Sequence, residues 1–182
     1  MPAILHENRH DHMSDEQLAA LARGGDPRAW EVFVRRHGAR LLAYCIRLCG
    51  DGDDARVAWL SCLEETWARL RVGPGDTRPC TSAFAAATRL CAANAASVPA
   101  STLRLRDTGS FEARSQRLRE CLLGLPFPQR AALGLCYFDN LPYAEAQRCL
   151  GPERPDARLL CAKGYAALAT ALGPNFLSEG LE

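Results

Sequence analysis

Residues 141–172 constrain the fold more than any other stretch of the chain: LPYAEAQRCLGPERPDARLLCAKGYAALATAL. Tyr143, Ala146, Cys149 and Leu150 recur at helical spacing and mark a short amphipathic helix. Gly151-Pro152 must stop it, since glycine takes up the turn and proline cannot continue a helix. A longer helix opens at Pro155 and closes at Gly173-Pro174. Two helices joined by a tight glycine-containing turn are the pattern of a helix-turn-helix, whose second helix usually enters a DNA groove.

The remainder is also helical in character. Alanine and leucine dominate and β-branched residues are scarce, which favours helix over strand. Apolar residues make up 48% and charged residues 24%, enough to bury a core. The net charge is only +1, from 22 basic and 21 acidic residues. A dedicated DNA binder carries a larger basic excess, so any basic surface here must be local. With no run of about 18 apolar residues, no membrane span is expected. Met1 to His12 lacks the apolar core of a secretion signal, so a cytoplasmic, reducing location is expected. Nine cysteines there are not a disulfide framework. Cys45, Cys49, Cys91, Cys136, Cys149 and Cys161 fall at apolar positions of helical patterns and read as small core residues.

In chain order, residues 1–14 read as a flexible tail, with Met13-Ser14-Asp15 resembling a second beginning. Ser14 and Gln17 form a capping-box pattern, and the helix they open runs to Gly24-Gly25. Asp26-Pro27 opens the next, with Trp30, Phe33 and Val34 on one face. Leu41, Leu42, Cys45, Ile46 and Cys49 continue that pattern to Gly50-Asp51-Gly52. Asp53 or Asp54 caps a helix over 55–70 with Val57, Leu60, Leu63 and Trp67 inward, ended by Gly73-Pro74-Gly75. Residues 81–96 form an alanine-rich helix. Residues 97–111 have linker composition. A second helical group follows: Leu118 to Leu125, a helix from Pro126 to Asp139, and the helix-turn-helix. The expected fold is all-α, with two small helical domains, 15–96 and 112–172, a flexible linker between them, and a C-terminal tail over 173–182.

Three segments carry a family resemblance. Asp15 to Leu18, Gly25-Asp26-Pro27-Arg28-Ala29-Trp30, Leu41 to Tyr44 and Gly50 to Ala55 make up the first. Leu125 to Arg130, with Leu133, Leu135 and Tyr137, is the second. Leu141 to Glu145, Leu150-Gly151 and Ala166-Ala167-Leu168 are the third. In this order and spacing they resemble the extracytoplasmic-function group of bacterial RNA polymerase sigma factors, whose patterns include "LPPRQREVLLLRY" and "LSYAEIAEILG". The resemblance covers about 15–172. It implies a region 2-like bundle that binds core RNA polymerase and a region 4-like helix-turn-helix that binds promoter DNA. It also implies an anti-sigma protein as a third partner.

The chain departs from the family at informative places. The acidic polymerase-facing stretch after Asp54-Ala55 is here Arg56-Val57-Ala58-Trp59-Leu60-Ser61. The family's "SFRTWLYRIARN" is replaced by Ala83 to Asn94, in which alanine stands where tryptophan and most arginines would meet melted DNA. Aromatic platforms and cations are what hold single strands, so the basis for melting contacts is reduced. In the recognition helix, "TVKSRLHRAR" becomes Asp156 to Tyr165. Arg158 and Lys163 keep basic character, and Gly164 weakens the helix by roughly 1 kcal/mol against alanine.

The candidate DNA contacts are Tyr143, Arg154, Arg158 and Lys163, since arginine reads bases and both cations bind phosphate. The alternative for them is a solvated helix face. The resemblance places candidate polymerase contacts at Arg40, Arg47, Asp54, Arg56 and Trp59, with burial the alternative for Trp59. Leu159 and Leu160 point about 100° apart, so either at least one is exposed and suited to a protein partner or the two belong to a broad core stripe. His6, His10 and His12 with Glu7 and Asp11 are the residue types of a divalent-ion site, but read as an unstructured tail. Cys45, Cys49 and Cys62 read as packing, since a thiolate site needs four converging ligands. No phosphate loop, HExxH or nucleophile elbow occurs, so no enzyme activity, cofactor or metal is expected. The expected function is sigma-like direction of transcription initiation. The alternative is a degenerate sigma-like regulator that binds polymerase or an anti-sigma protein without promoter melting, and a thiol or metal sensor stands further off.

Overall fold

The structure, a computed structural model, describes residues 9–72, 78–95 and 111–173. Capping chemistry sets the first two helices. The Gln17 amide donates to Ser14 Oγ at 3.3 Å, and the Ser14 amide donates to Gln17 Oε1 at 2.8 Å, opening α1 (Asp15–Arg23). The Asp26 carboxylate accepts from the Arg28 amide at 2.9 Å, and Pro27 takes the first position of α2 (Pro27–Cys49). Then come α3 (Asp53–Val72), α4 (Pro79–Ala95), α5 (Phe111–Gly124), α6 (Phe127–Leu133), α7 (Tyr143–Leu150) and α8 (Ala157–Leu172). Among the described residues there is no strand, and the fold is all-α as expected. The expected 97–111 linker lies outside the described residues except for Phe111, as does the C-terminal tail beyond Gly173.

Residues 9–14, read from sequence as part of a flexible tail, are tied down. Arg9–His12 make a 3-10 turn. His10 Nε2 lies 2.9 Å from Asp26 Oδ2, Arg35 pairs with Asp11, and Arg36 donates to the carbonyls of Asp11 and Met13. Charge pairing to α2, which composition does not show, holds this segment. The Pro126-to-Asp139 helix also differs from the sequence reading. It widens into a π-turn at Gly134–Phe138, and Asn140 at φ 53° leaves the helical path.

Two groups of helices, α1–α4 and α5–α8, meet in one core. Phe33, Leu41, Tyr44 and Leu48 of α2 and Phe84, Ala87 and Cys91 of α4 cluster with Leu133, Leu135, Cys149 and Leu160. The wedge is Tyr44. Its ring is fully buried, meets Phe84 edge-on at 5.3 Å, and its hydroxyl hydrogen-bonds Thr88 Oγ1 at 2.8 Å. Its far side lies against Gly134, where a Cβ would come within 2.8 Å of ring carbon Cε2. Glycine at 134 is therefore a packing requirement of the joint between the groups. A smaller cluster of Leu18, Ala22, Ala29 and Val32 closes α1 onto α2, capped by Met13, Leu21 and Trp67.

In α3 the inward face is Ala55, Ala58, Cys62, Leu63, Thr66 and Leu70. Leu63 is inward as expected, but Val57 and Leu60 are 57% and 51% exposed, and Trp67 is half-buried beside Trp30. The small residues let α3 lie close to its neighbours, and the turn they occupy displaces the larger side chains outward.

Candidate nucleic-acid and protein interface

Helices α7 and α8 are joined by a tight turn over 151–156. Gly151 takes φ 92° at the end of α7, a conformation that L side chains rarely adopt. Gln147 organises the turn: its Nε2 donates to the carbonyls of Gly151 and Arg154, at 3.2 and 3.3 Å, and its Oε1 accepts the Ala157 amide at 2.8 Å. The Asp156 carboxylate caps α8 by accepting from the Arg158 amide at 2.8 Å. That carboxylate satisfies the helix end, and its charge opposes a phosphate at the same place.

Tyr143, Arg154, Arg158 and Lys163 are all exposed. Tyr143 and Arg158 act together: the guanidinium carbon sits 5.3 Å from the phenol centroid. This cation–π contact holds the exposed Arg158 against Tyr143. Arg154 instead borders a cleft of about 150 Å³ between the two helix groups, with Arg89 and Phe127. Arg158 and Lys163 are five residues apart, about 140° around the helix, so they do not form a single stripe. Of the leucine pair, Leu160 is buried and Leu159 is 48% exposed. Gly164 also has a packing reason: a Cβ there would lie 2.8 Å from Leu133 Cδ1.

The five candidate polymerase residues separate into two sets. Arg40 and Arg47 reach across to the second helix group and meet at Asp139. Arg47 Nη2 donates to Asp139 Oδ2 at 2.6 Å, and Arg40 Nη2 donates to the Asp139 carbonyl at 2.8 Å. Arg47 also lies over Phe138, 4.9 Å from its centroid. The Asp139 side chain is 3% exposed. Burial pushes its carboxyl above the ordinary range, and the two guanidiniums only partly oppose this. Asp54 and Arg56 face solvent, and Arg56 pairs with Asp53 at 3.5 Å. Trp59 is half-buried against the core, and its buried indole Nε1 has no hydrogen-bond partner. The exposed residues in the first two turns of α3 are Asp53, Asp54, Arg56, Val57 and Leu60.

Sequence reasoning missed three participants. Asp139 carries no local signal, because its partners are about ninety residues away in the chain. Val57 and Leu60 were read as inward on size alone; the periodicity of Ala55, Ala58 and Cys62 marks the true inner face. Of the His-rich segment, His6 and Glu7 lie outside the described residues, while His10 and Asp11 engage Asp26 and Arg35. Among the described residues, no helix is long and apolar enough to cross a membrane.

No family model matches the chain, and no curated protein matches it by sequence. A solved structure does, that of CnrH in complex with the cytosolic domain of CnrY. It aligns with a TM-score of 0.68 and 22% identity, over 87% of this chain and 96% of the matched chain. At this identity the likeness shows a shared helical fold.

Proposed function

We propose that this chain is a sigma-like transcription protein that binds core RNA polymerase through α2 and α3 and promoter DNA through α8. It would work in the cytoplasm and carry out no chemistry of its own. The observation that carries this reading is the pairing of a sigma-type fold with an exposed α8 arginine, Arg158, held against Tyr143. Arginine held in a fixed direction is suited to a bidentate base contact or to phosphate. Co-purification with core polymerase, followed by run-off transcription from a matched promoter, tests it. Failure to bind core polymerase would refute it.

A second reading, a regulator that binds proteins and does not melt promoters, is favoured by α4. Its half-buried and exposed positions include Ala85, Ala92 and Ala93, which offer no stacking platform or cation to a single strand. The exposed Val57 and Leu60 on α3 and Leu159 on α8 are suited to a protein partner, and the domain bound to CnrH gives the type of partner to try. Core binding without open-complex formation would select this reading over the first.

A further inference from the structure

Three chemistry-bearing side chains meet where the starts of α1 and α4 pack on α2. Asp15 is the first residue of α1, His37 lies in the middle of α2, and Cys80 is the second residue of α4. His37 stands between the other two, with Nδ1 3.7 Å from Cys80 Sγ and Nε2 2.7 Å from Asp15 Oδ2. One ligand atom from each residue can be chosen so that all three lie within 4.8 Å of one another. We infer that Asp15, His37 and Cys80 form a site for a thiophilic divalent cation, zinc above all.

The chemistry fits in three respects. Thiolate, imidazole and carboxylate are the three ligand types zinc takes. A thiolate and a carboxylate beside a neutral imidazole carry two negative charges, which a divalent ion cancels in a place where burial makes net charge costly. His37 is only 6% exposed, and its two ring nitrogens face Cys80 Sγ at 3.7 Å and Asp15 Oδ2 at 2.7 Å. The groups that orient the buried imidazole are thus the other two candidate ligands themselves. Arg36 holds the other carboxylate oxygen, Oδ1, at 2.6 Å and so fixes Oδ2 toward the imidazole.

Tetrahedral zinc holds nitrogen, oxygen and sulfur ligands roughly 3.3–3.7 Å apart, so a contraction from the observed spread completes the site. The imidazole binds through one nitrogen, and three protein ligands leave one position open. Arg40 bears positively on Cys80, and Asp15, Glu145 and Asp139 bear negatively. Zinc takes cysteine as the thiolate, so a cation that occupies the site displaces the Cys80 proton. The ion would fasten α1, α2 and α4 together and give the first helix group a metal-dependent stability.

Cobalt(II) titration of the full-length, chelator-treated protein, followed by zinc competition, tests this. The expected result is one tight equivalent with a thiolate-to-cobalt charge-transfer band that zinc bleaches, and a higher Tm with zinc. Cys80→Ala should abolish the band, and Asp15→Asn should weaken binding by roughly tenfold or more while keeping the helical circular dichroism. The competing cluster is the thiol group of Cys45, Cys49, Cys62 and Cys91, so Cys91→Ala should leave the band intact. No tight equivalent, a band that persists in Cys80→Ala, or one lost in Cys91→Ala would each overturn the assignment.

Discussion

Asp139→Ala is the sharpest test of how the two helix groups are held together. The substitution removes a carboxylate that is 3% exposed and accepts a 2.6 Å bond from Arg47, with Arg40 Nε at 3.7 Å. A hydrogen bond to a charged group contributes about 1.5–3 kcal/mol, and orphaning one partner of a fully buried pair costs about 3–5 kcal/mol. The lower range applies. Arg47 and Arg40 are 22% and 44% exposed and can be rehydrated, and Arg40 keeps its bond to the residue 139 carbonyl. The expected loss is about 2 kcal/mol in urea unfolding, with a coupling energy to Arg47→Ala of about 1.5 kcal/mol and a smaller one to Arg40→Ala. Asp139→Asn should cost less than Asp139→Ala, since it keeps an acceptor and removes the buried charge. The pH dependence has a definite sign. The folded carboxyl lies above its ordinary value of 3.8, so the folded state holds the proton more tightly than the unfolded chain. Its contribution is present below 3.8 and is lost as pH rises through the raised folded value. Wild type should therefore gain on Asp139→Asn as pH falls through that window. A coupling energy to Arg47 below about 0.5 kcal/mol would refute the reasoning, since it matches that of sites with no shared contact.

Other consequences follow from single side chains. Gly134→Ala sets a methyl group 2.8 Å from the Tyr44 ring, which is buried and held by Thr88, and should cost about 1–3 kcal/mol by thermal unfolding. Gly164→Ala meets Leu133 Cδ1 at 2.8 Å, Leu133 Cγ at 3.2 Å and Gln129 Cβ at 3.3 Å rather than a locked aromatic ring, and gains about 1 kcal/mol of helix propensity, so it should cost less than Gly134→Ala; the reverse order would contradict the Tyr44 wedge. Ser14→Ala removes the α1 cap and should lower stability by about 1 kcal/mol. Arg158→Ala with Lys163→Ala should weaken DNA binding and flatten its log–log salt slope by up to about 1.8, at about 0.9 per lost phosphate contact. Unchanged affinity in a gel shift would count against α8 as the groove reader.

What was legible from sequence was local. Ser14 with Gln17, Asp26 with Pro27, and Gly151 are short-range capping and turn signals, and each sits where its chemistry requires. The separation of the leucine pair was legible for the same reason, because helical geometry alone sets neighbours apart. Contacts between distant residues were not. Nothing near Asp139 announces two arginines on another helix, and nothing near Gly134 announces a tyrosine ring. The inner face of α3 was misread because size was taken as the mark of burial, whereas Ala55, Ala58 and Cys62 allow close helix approach. Arg40 and Arg47 were candidate contacts by resemblance, but their engagement of Asp139 within the chain was not legible.

On the α4 side, the cleft between the two halves is bordered by small side chains, Thr88 and Ala92 among them. Each such group returns little oily area to water when the halves part, at about 25 cal/mol per Å². Two contacts stand out across the joint, the Tyr44 ring on Gly134 and the Asp139 latch. Releasing both would loosen the halves together and return Arg47 and Arg40 fully to water.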